Sequence, residues 1–156
     1  MSSKSRTRKP IQPAMSPLLR ALTYSRAAHE PIARAMLLQC YAGLDAFARG
    51  YGSRELFTTL GRQLLVSEEL CRLGYEPEAL ADIAEAQLSL TNVHAENKRH
   101  GAWQMQESDY AWLCVAFDIY ERQLAAASLH DIARSEAQAV EGLMRAGKKA
   151  ALAESA

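Results

Sequence analysis

The chain has 156 residues, of which 49% are hydrophobic and 23% charged, and its 18 basic residues balance its 18 acidic ones. This length and composition are typical of one globular domain that is large enough to bury its own core. No apolar run approaches the ~18 residues that a membrane-spanning helix requires, and the basic N-terminus lacks the apolar segment of a signal peptide. We therefore expect a cytoplasmic protein that has no membrane partner.

The first 17 residues contain three prolines and four basic residues but no periodic apolar pattern. This composition predicts a disordered basic arm over residues 1–17. Its basic residues could contact phosphates through electrostatics that do not depend on sequence, or they could simply favour solubility. The candidate nucleic-acid or anion contacts, including two arginines just beyond the arm, are Lys4, Arg6, Arg8, Lys9, Arg20 and Arg26.

The helical part of the chain is predicted to begin at residue 18, with a short helix that ends near Pro31 because a residue before proline is pushed out of helical geometry. A long helix then starts at Pro31 and ends at Gly50. The next helix begins at the N-cap Ser53 and ends at Gly74.

Two further helices follow, the first from Glu76 and Pro77 to His100, where Gly101 stops it. The second contains the most apolar run of the chain, DYAWLCVAFDIYERQL, over residues 109–124. Because Trp112 and Val115 extend its apolar surface beyond one face, we expect this helix to be the central helix of the bundle. On its polar side, Asp118 and Arg122 are spaced to form an ion pair.

The last helix is predicted to begin at a capping box, Ser128 to Asp131, and to end at Gly147, which leaves residues 148–156 as a frayed tail. The folded domain then covers residues 18–147. Short connections between long helices indicate antiparallel neighbours. The predicted fold is all-α, an antiparallel bundle of five or six helices.

Signatures of catalysis are missing from the sequence, which has no glycine-rich phosphate loop, HExxH, CxxC or nucleophile elbow. The three cysteines, Cys40, Cys71 and Cys114, lie far apart on apolar helix faces, where a free thiol behaves as a small buried hydrophobe. The turn near Gly74 has the spacing of a helix-turn-helix, but the following helix presents acids, which repel phosphates. We expect no catalytic site, cofactor or metal, although an unrecognised site in the bundle core is an alternative.

The end of the third long helix and the loop after it combine basic charge, an aromatic ring and an amide. This corner is either a helix C-terminus with a buried tryptophan or a recognition site for a protein partner or an anion. Its residues are Lys98, Arg99, His100, Trp103 and Gln104.

From Asn97 onward the chain resembles a family of small uncharacterised helical proteins from proteobacterial genomes and mobile elements, often labelled Fis-type transcriptional regulators. The resemblance is carried by a basic Gly-x-Trp corner at Gly101 and Trp103, by the pair Gln123 and Leu124, and by the basic, proline-bearing start. It implies a regulatory role. The basic C-terminal helix-turn-helix implied by the label has no counterpart in the last helix, which carries several acids.

Charge is unevenly distributed, with ten basic and three acidic residues in 1–62 but eight basic and fifteen acidic residues in 63–156. Either the two halves pack through complementary surfaces, or the basic half serves an acidic partner. We therefore expect a non-enzymatic interaction or regulatory protein that binds a protein partner or forms a homo-oligomer. The alternative is a nucleic-acid-associated regulator that uses the basic arm.

Overall fold

The computed structural model describes the backbone of residues 26–154 and the side chains of residues 29–147. Five α-helices and one short 3-10 turn make up this part of the chain, and no strand occurs in it, which confirms the all-α prediction. The helices are α1 (Arg26–Ala48), α2 (Arg54–Arg72), α3 (Leu80–His100), α4 (Glu107–Ala126) and α5 (Leu129–Glu154), and the 3-10 turn Pro77–Ala79 precedes α3. The predicted arm, residues 1–17, lies outside the described residues.

The central helix of the bundle is α2, because it alone packs substantially against each of the other four described helices. Paired side chains on α2 and α4 advance together along the chain, from Gln63 with Tyr120 to Ser67 with Gln123, so these two helices run parallel. The other three run antiparallel to α2. The prediction that the helix over residues 109–124 is central was wrong, since α4 packs mainly against α1, α2 and α3.

Exposure along α4 explains this error. Although the run is apolar almost all round, Trp112 is 38% exposed and Val115 is 42% exposed. Its buried face instead follows Leu113, Phe117 and Tyr120, all fully buried. An apolar sequence therefore does not ensure that every side of the helix is covered by another helix.

The prediction that α1 starts at Pro31 was also wrong, because the described helix begins at Arg26 and continues through Pro31. A proline inside a helix removes one backbone hydrogen bond and crowds the carbonyl four residues earlier. Here the rest of α1 packs on α2 and α4 through a buried stripe that includes Cys40, Leu44 and Phe47. This packing outweighs the local preference of the proline.

Three helices end where glycine permits a left-handed backbone, as predicted. Gly50, Gly74 and Gly101 have φ angles of 78°, 100° and 70°. After α1 and α2 the following tyrosine N–H bonds back five residues, from Tyr51 to the Ala46 carbonyl at 2.8 Å and from Tyr75 to the Leu70 carbonyl at 3.0 Å. These bonds satisfy carbonyls that a helix end would otherwise leave without donors.

The two predicted serine caps are confirmed as well, whereas the helix predicted from Glu76 and Pro77 begins with the 3-10 turn and becomes α-helical only at Leu80. Ser53 caps α2 by accepting a hydrogen bond from the Leu56 N–H at 3.2 Å. Ser128 Oγ likewise accepts from the Asp131 N–H at 3.1 Å before α5, and its hydroxyl donates to Asp131 Oδ2 at 3.0 Å. The end predicted for α5 was wrong, because the helix continues through Gly147 to Glu154. Glycine inside a helix costs only about 1 kcal/mol, so it does not by itself stop one.

Buried polar side chains join α2 to α4. The Tyr120 hydroxyl donates to Gln63 Oε1 at 2.6 Å, and the Ser67 hydroxyl donates to Gln123 Oε1 at 2.6 Å. Gln123 Nε2 donates in turn to the Tyr75 carbonyl at 2.9 Å, which also fixes the loop after α2. Because each such group loses water on folding, these bonds favour this one register of α2 against α4.

On the outer side of α4, the predicted ion pair between Arg122 and Asp118 is not formed. The Arg122 guanidinium donates to both carboxylate oxygens of Glu76, each at 2.8 Å, and this bond raises the pKa of Arg122. Glu76 has a left-handed backbone, with φ 51° and ψ 56°, in the turn before α3. A two-pronged arrangement matches the planar guanidinium better than a single contact along one helix does.

Candidate binding surfaces

The basic residues of the predicted corner lie on the surface at the end of α3. Lys98, Arg99 and His100 are exposed. Glu96, on the same helix, accepts a hydrogen bond from Arg99 and lies 3.4 Å from His100 Nε2. Part of the basic charge is therefore compensated within the helix.

Trp103 occupies a different environment from its basic neighbours. Its ring lies against Phe57 and His94, with ring centroids 5.2 Å and 6.0 Å away. Gly52 makes this packing possible, because a Cβ added there would lie 2.8 Å from the Cβ of Trp103 and 2.5 Å from the ring of Phe47. The tryptophan thus anchors the α3–α4 loop on α2, while Gln104 beside it is exposed. The exposed groups that a partner would meet at this corner are therefore mainly polar, and the tryptophan ring is not among them.

Most of the predicted nucleic-acid contacts lie outside the described residues. This holds for Lys4, Arg6, Arg8, Lys9 and Arg20, and of Arg26 only the backbone is described, as the first residue of α1. The structure thus does not bring this group together or separate it. It does establish that α1 begins at the same end of the bundle as the end of α2.

That end of the bundle is rich in acidic side chains. They come from the last turns of α2, the 3-10 turn, the start of α3 and the end of α4. Opposing bases include Arg72, which bonds to Glu68 and Glu69, and Arg122. The acids are Glu68, Glu69, Glu76, Glu78, Asp82, Glu85, Asp118 and Glu121. The local field of this end therefore disfavours bound phosphates.

An apolar groove that the sequence did not predict separates α1 from α4 near the start of α1. We call it the α1–α4 groove; its volume is about 570 Å³, and it is open to solvent. Leu38 is 67% exposed at its rim. The lining residues are His29, Glu30, Ala33, Arg34, Leu37, Leu38, Tyr41, Glu121 and Ala125.

One hydrogen bond crosses the α1–α4 groove. The Tyr41 hydroxyl donates to Glu121 Oε2 at 2.9 Å. Burial, followed by this bond to a carboxylate, raises the pKa of Tyr41 to about 12. The phenol therefore stays protonated at neutral pH and remains a donor that fixes one wall of the groove.

A second groove runs over the outer face of α2 between α3 and α5. We call it the α2 groove; its volume is about 410 Å³. Gly61 forms part of its floor, where an added Cβ would meet only Leu90 Cδ1, at 3.8 Å. The groove is lined by Phe57, Thr58, Gly61, Arg62, Leu64, Leu65, Gln87, Leu90, Thr91 and Leu143.

All three cysteines lie in or against the hydrophobic core, as the sequence predicted. Cys40 and Cys71 are buried, whereas Cys114 is partly exposed. Burial raises the pKa of Cys40 to about 12 and also raises the pKa of Cys71. The reactive thiolate form is therefore scarce at both buried positions.

Within the described range, no group of three or more His, Cys, Asp and Glu side chains is arranged to hold a metal ion. None of the helices between residues 26 and 154 combines the length and the apolar character needed to cross a bilayer. Comparisons of the chain with protein-family models, curated proteins and solved structures found no match. The resemblance to Fis-type proteins stays a prediction.

Proposed function

We propose that this protein acts by binding, and that its α1–α4 groove takes an apolar helix face of a protein partner. The observation that carries this proposal is the exposed Leu38 at the rim of an apolar groove of about 570 Å³. Leu38 and the lining of the groove together form a contiguous apolar surface, and such surfaces mark interaction sites. A partner that covered this side chain would remove apolar surface from water at both sides of the interface.

The spacing of apolar residues along α1 favours a helical ligand. Ala33, Leu37 and Tyr41 recur every four residues, so they form a straight apolar track about two turns long beside Ala125 of α4. Amphipathic helices bind grooves of this kind through side chains that recur at intervals of three and four. The partner helix would place its apolar stripe on this track.

The polar rim adds a requirement for the partner. Glu30 and Arg34 form an ion pair at 2.9 Å along one edge, and both are 78% exposed. Exposed pairs of this kind contribute little to stability, so they can exchange partners at low cost. The partner helix is therefore expected to flank its apolar stripe with charges of both signs.

A photo-crosslinking amino acid at position 38 tests the proposal. In a lysate of cells that express the protein, we expect one defined partner other than the protein itself to be cross-linked from position 38, and no such partner from exposed Gln138 on α5. The variant Ala33→Trp, which fills the groove, should abolish the product when the cross-linker is placed at Ala125. Equal labelling from positions 38 and 138, or labelling that survives Ala33→Trp, would contradict the proposal.

The second candidate function is nucleic-acid association through residues 1–26. It is favoured by one observation: this segment carries six basic residues and no acidic residue. The acidic end of the bundle disfavours phosphate contacts by the described helices, so the segment would carry the binding. A gel shift against random duplex DNA at two salt concentrations tests this, with a variant that lacks residues 1–10. We expect weaker binding and a flatter salt dependence for the variant, and unchanged binding would contradict the idea.

A further inference from the structure

The α2 groove lies between α3 and α5, whereas the other groove lies between α1 and α4. An apolar ridge adjoins the α2 groove. On α5, Val140 and Met144 are 41% and 62% exposed, one turn apart. Leu143, 42% exposed, lies beside them and also lines the groove. Groove and ridge therefore adjoin on one face of the molecule.

The described helices leave this face uncovered because of how α5 is held. Among the described helices, α5 packs substantially on α2 alone, through a buried stripe that includes Ile132, Ser135 and Ala139. The ridge side of α5 thus faces no other described helix. A face with both a groove and an adjoining ridge is complementary to a copy of itself, because a two-fold axis beside Leu143 carries each ridge over the other groove.

Charge on the same face supports a second copy as the occupant. Arg62 lines the groove, its Nε is buried without a hydrogen-bond acceptor among the described residues, and it forms no ion pair within them. Next to the ridge, Glu141 bonds only to Arg145 of its own helix, at 3.2 Å, and is 68% exposed. The residues that line the groove therefore include no carboxylate, and the ridge carries one that it can supply.

We infer that the protein forms a two-fold dimer in which Val140 and Met144 of each copy fill the α2 groove of the other. In this dimer Glu141 of one copy pairs with Arg62 of the other, and the contact occurs twice. The interface does not involve the α1–α4 groove, so a dimer leaves that groove free. Self-association and partner binding are separate properties of the protein and can fail separately.

Sedimentation velocity over a range of concentrations, carried out on the full chain, tests the dimer. The wild type should change from one to two protomers as concentration rises. Met144→Glu, which places a charge on the ridge, and Gly61→Leu, which fills the groove, should each raise the dissociation constant at least about tenfold. The backbone at position 61 accepts a Cβ, since the added atom has only one neighbour within 4 Å.

The matched control is Leu38→Glu, because Leu38 is as exposed as Met144 but lies on the other groove. It should leave the dissociation constant of the dimer unchanged. A wild type that is monomeric at every concentration would overturn the inference. So would a Met144→Glu variant that dimerises like the wild type.

A charge exchange tests the specific pairing. In the dimer of Arg62→Glu both contacts become Glu with Glu, and in the dimer of Glu141→Arg both become Arg with Arg. Each variant alone should therefore dimerise at least about tenfold more weakly. In a dimer that contains one copy of each variant, each of the two contacts joins a Glu to an Arg. This mixed dimer should therefore form with nearly wild-type affinity. A mixture that stays monomeric, while each variant keeps a wild-type circular dichroism spectrum, would overturn the pairing.

Discussion

The helices α4 and α5 are held to α2 in different ways. Buried hydrogen bonds join α4 to α2, and two other helices also pack against α4. By contrast, α5 packs substantially on only one described helix, α2, through a narrow stripe that ends in exposed apolar side chains. Directional bonds allow one register between helices, whereas a narrow apolar stripe mainly provides adhesion.

This difference predicts where the bundle opens first. A helix that contacts one neighbour can separate at the cost of one interface, while α4 cannot leave without exposing several. The outer helix is also the one that carries the ridge proposed for dimerisation. The same weak coverage thus makes α5 the less protected helix and makes its surface available to a second copy.

The largest loss of stability is expected from Gln123→Leu in α4. Gln123 is fully buried and connects Ser67, Cys71 and Tyr75. Leucine preserves the volume but leaves the Ser67 hydroxyl and the Tyr75 carbonyl without a partner. We expect the free energy of unfolding to fall by about 3 kcal/mol, measured by urea denaturation.

Two variants control this measurement. Exposed Gln138→Leu on α5 should change the unfolding free energy by less than about 0.5 kcal/mol. The double variant with Ser67→Ala should lose less than the sum of the single losses, because Ser67 then no longer needs the amide. A loss for Gln123→Leu as small as that of Gln138→Leu would show that these buried bonds do not hold α4.

A smaller effect is expected from Tyr120→Phe, one turn before Gln123. The change removes the hydroxyl that donates to Gln63 Oε1 at 2.6 Å and leaves that oxygen buried without a donor. Burial raises the pKa of Tyr120, so the lost group is a neutral hydroxyl. Urea denaturation should show a loss of about 1–2 kcal/mol. A gain in stability would mean that burying this pair costs more than its hydrogen bond returns.

How much of this fold the sequence predicts depends on whether the signal is local. Glycine at a left-handed position and serine at an N-cap act within one turn, so the ends at Gly50, Gly74 and Gly101 and the cap at Ser53 were all predicted. The partner of Arg122 was not, because Glu76 lies 46 residues away in sequence. Likewise, Pro31 is a strong local signal that tertiary packing overrode.

The binding surfaces show the same limit. The sequence correctly predicted that the basic residues of the corner lie at the end of a helix, because the signal, Gly101 at the end of α3, is adjacent to them in the chain. The two grooves each need side chains from helices that are distant in the chain. Leu38 offered the one local clue, since it falls beside the buried stripe of α1 rather than on it. Here the apolar residue out of phase with its stripe lies on a surface that the described helices leave uncovered.

Substitutions at the two helix caps, before α2 and before α5, should cause smaller losses of stability and also compare the two ways in which helices are held. Ser53→Ala removes one capping bond of 3.2 Å in α2. Ser128→Ala removes the 3.1 Å capping bond in α5 together with the 3.0 Å bond to Asp131 Oδ2, and each variant should cost about 1 kcal/mol. Because every other described helix packs on α2, the first loss should appear in global unfolding. The second should appear as faster amide exchange confined to the first turns of α5. Equal effects on exchange across α4 and α5 would contradict a separately opening α5.

The smallest expected effect is the pH dependence that Asp131 gives to the start of α5. The Tyr75 hydroxyl donates to its carboxylate at 2.6 Å, and chiefly this bond lowers the pKa of Asp131 below its ordinary 3.8. A group whose pKa is lowered on folding stabilises the protein above its unfolded pKa, and this stabilisation disappears as pH falls through the folded pKa. Below pH 3.8 the contribution should therefore fade, and its size should be a few tenths of a kcal/mol because the carboxylate is largely solvated.

Urea denaturation at neutral pH and below pH 3.8 should show a slightly smaller acid-induced loss in Asp131→Asn than in the wild type. Tyr75→Phe should reduce the loss in the same direction, since it removes the donor that lowers the pKa. An acid-induced loss unchanged in both variants would show that the loop after α2 is not tied to α5 through this bond.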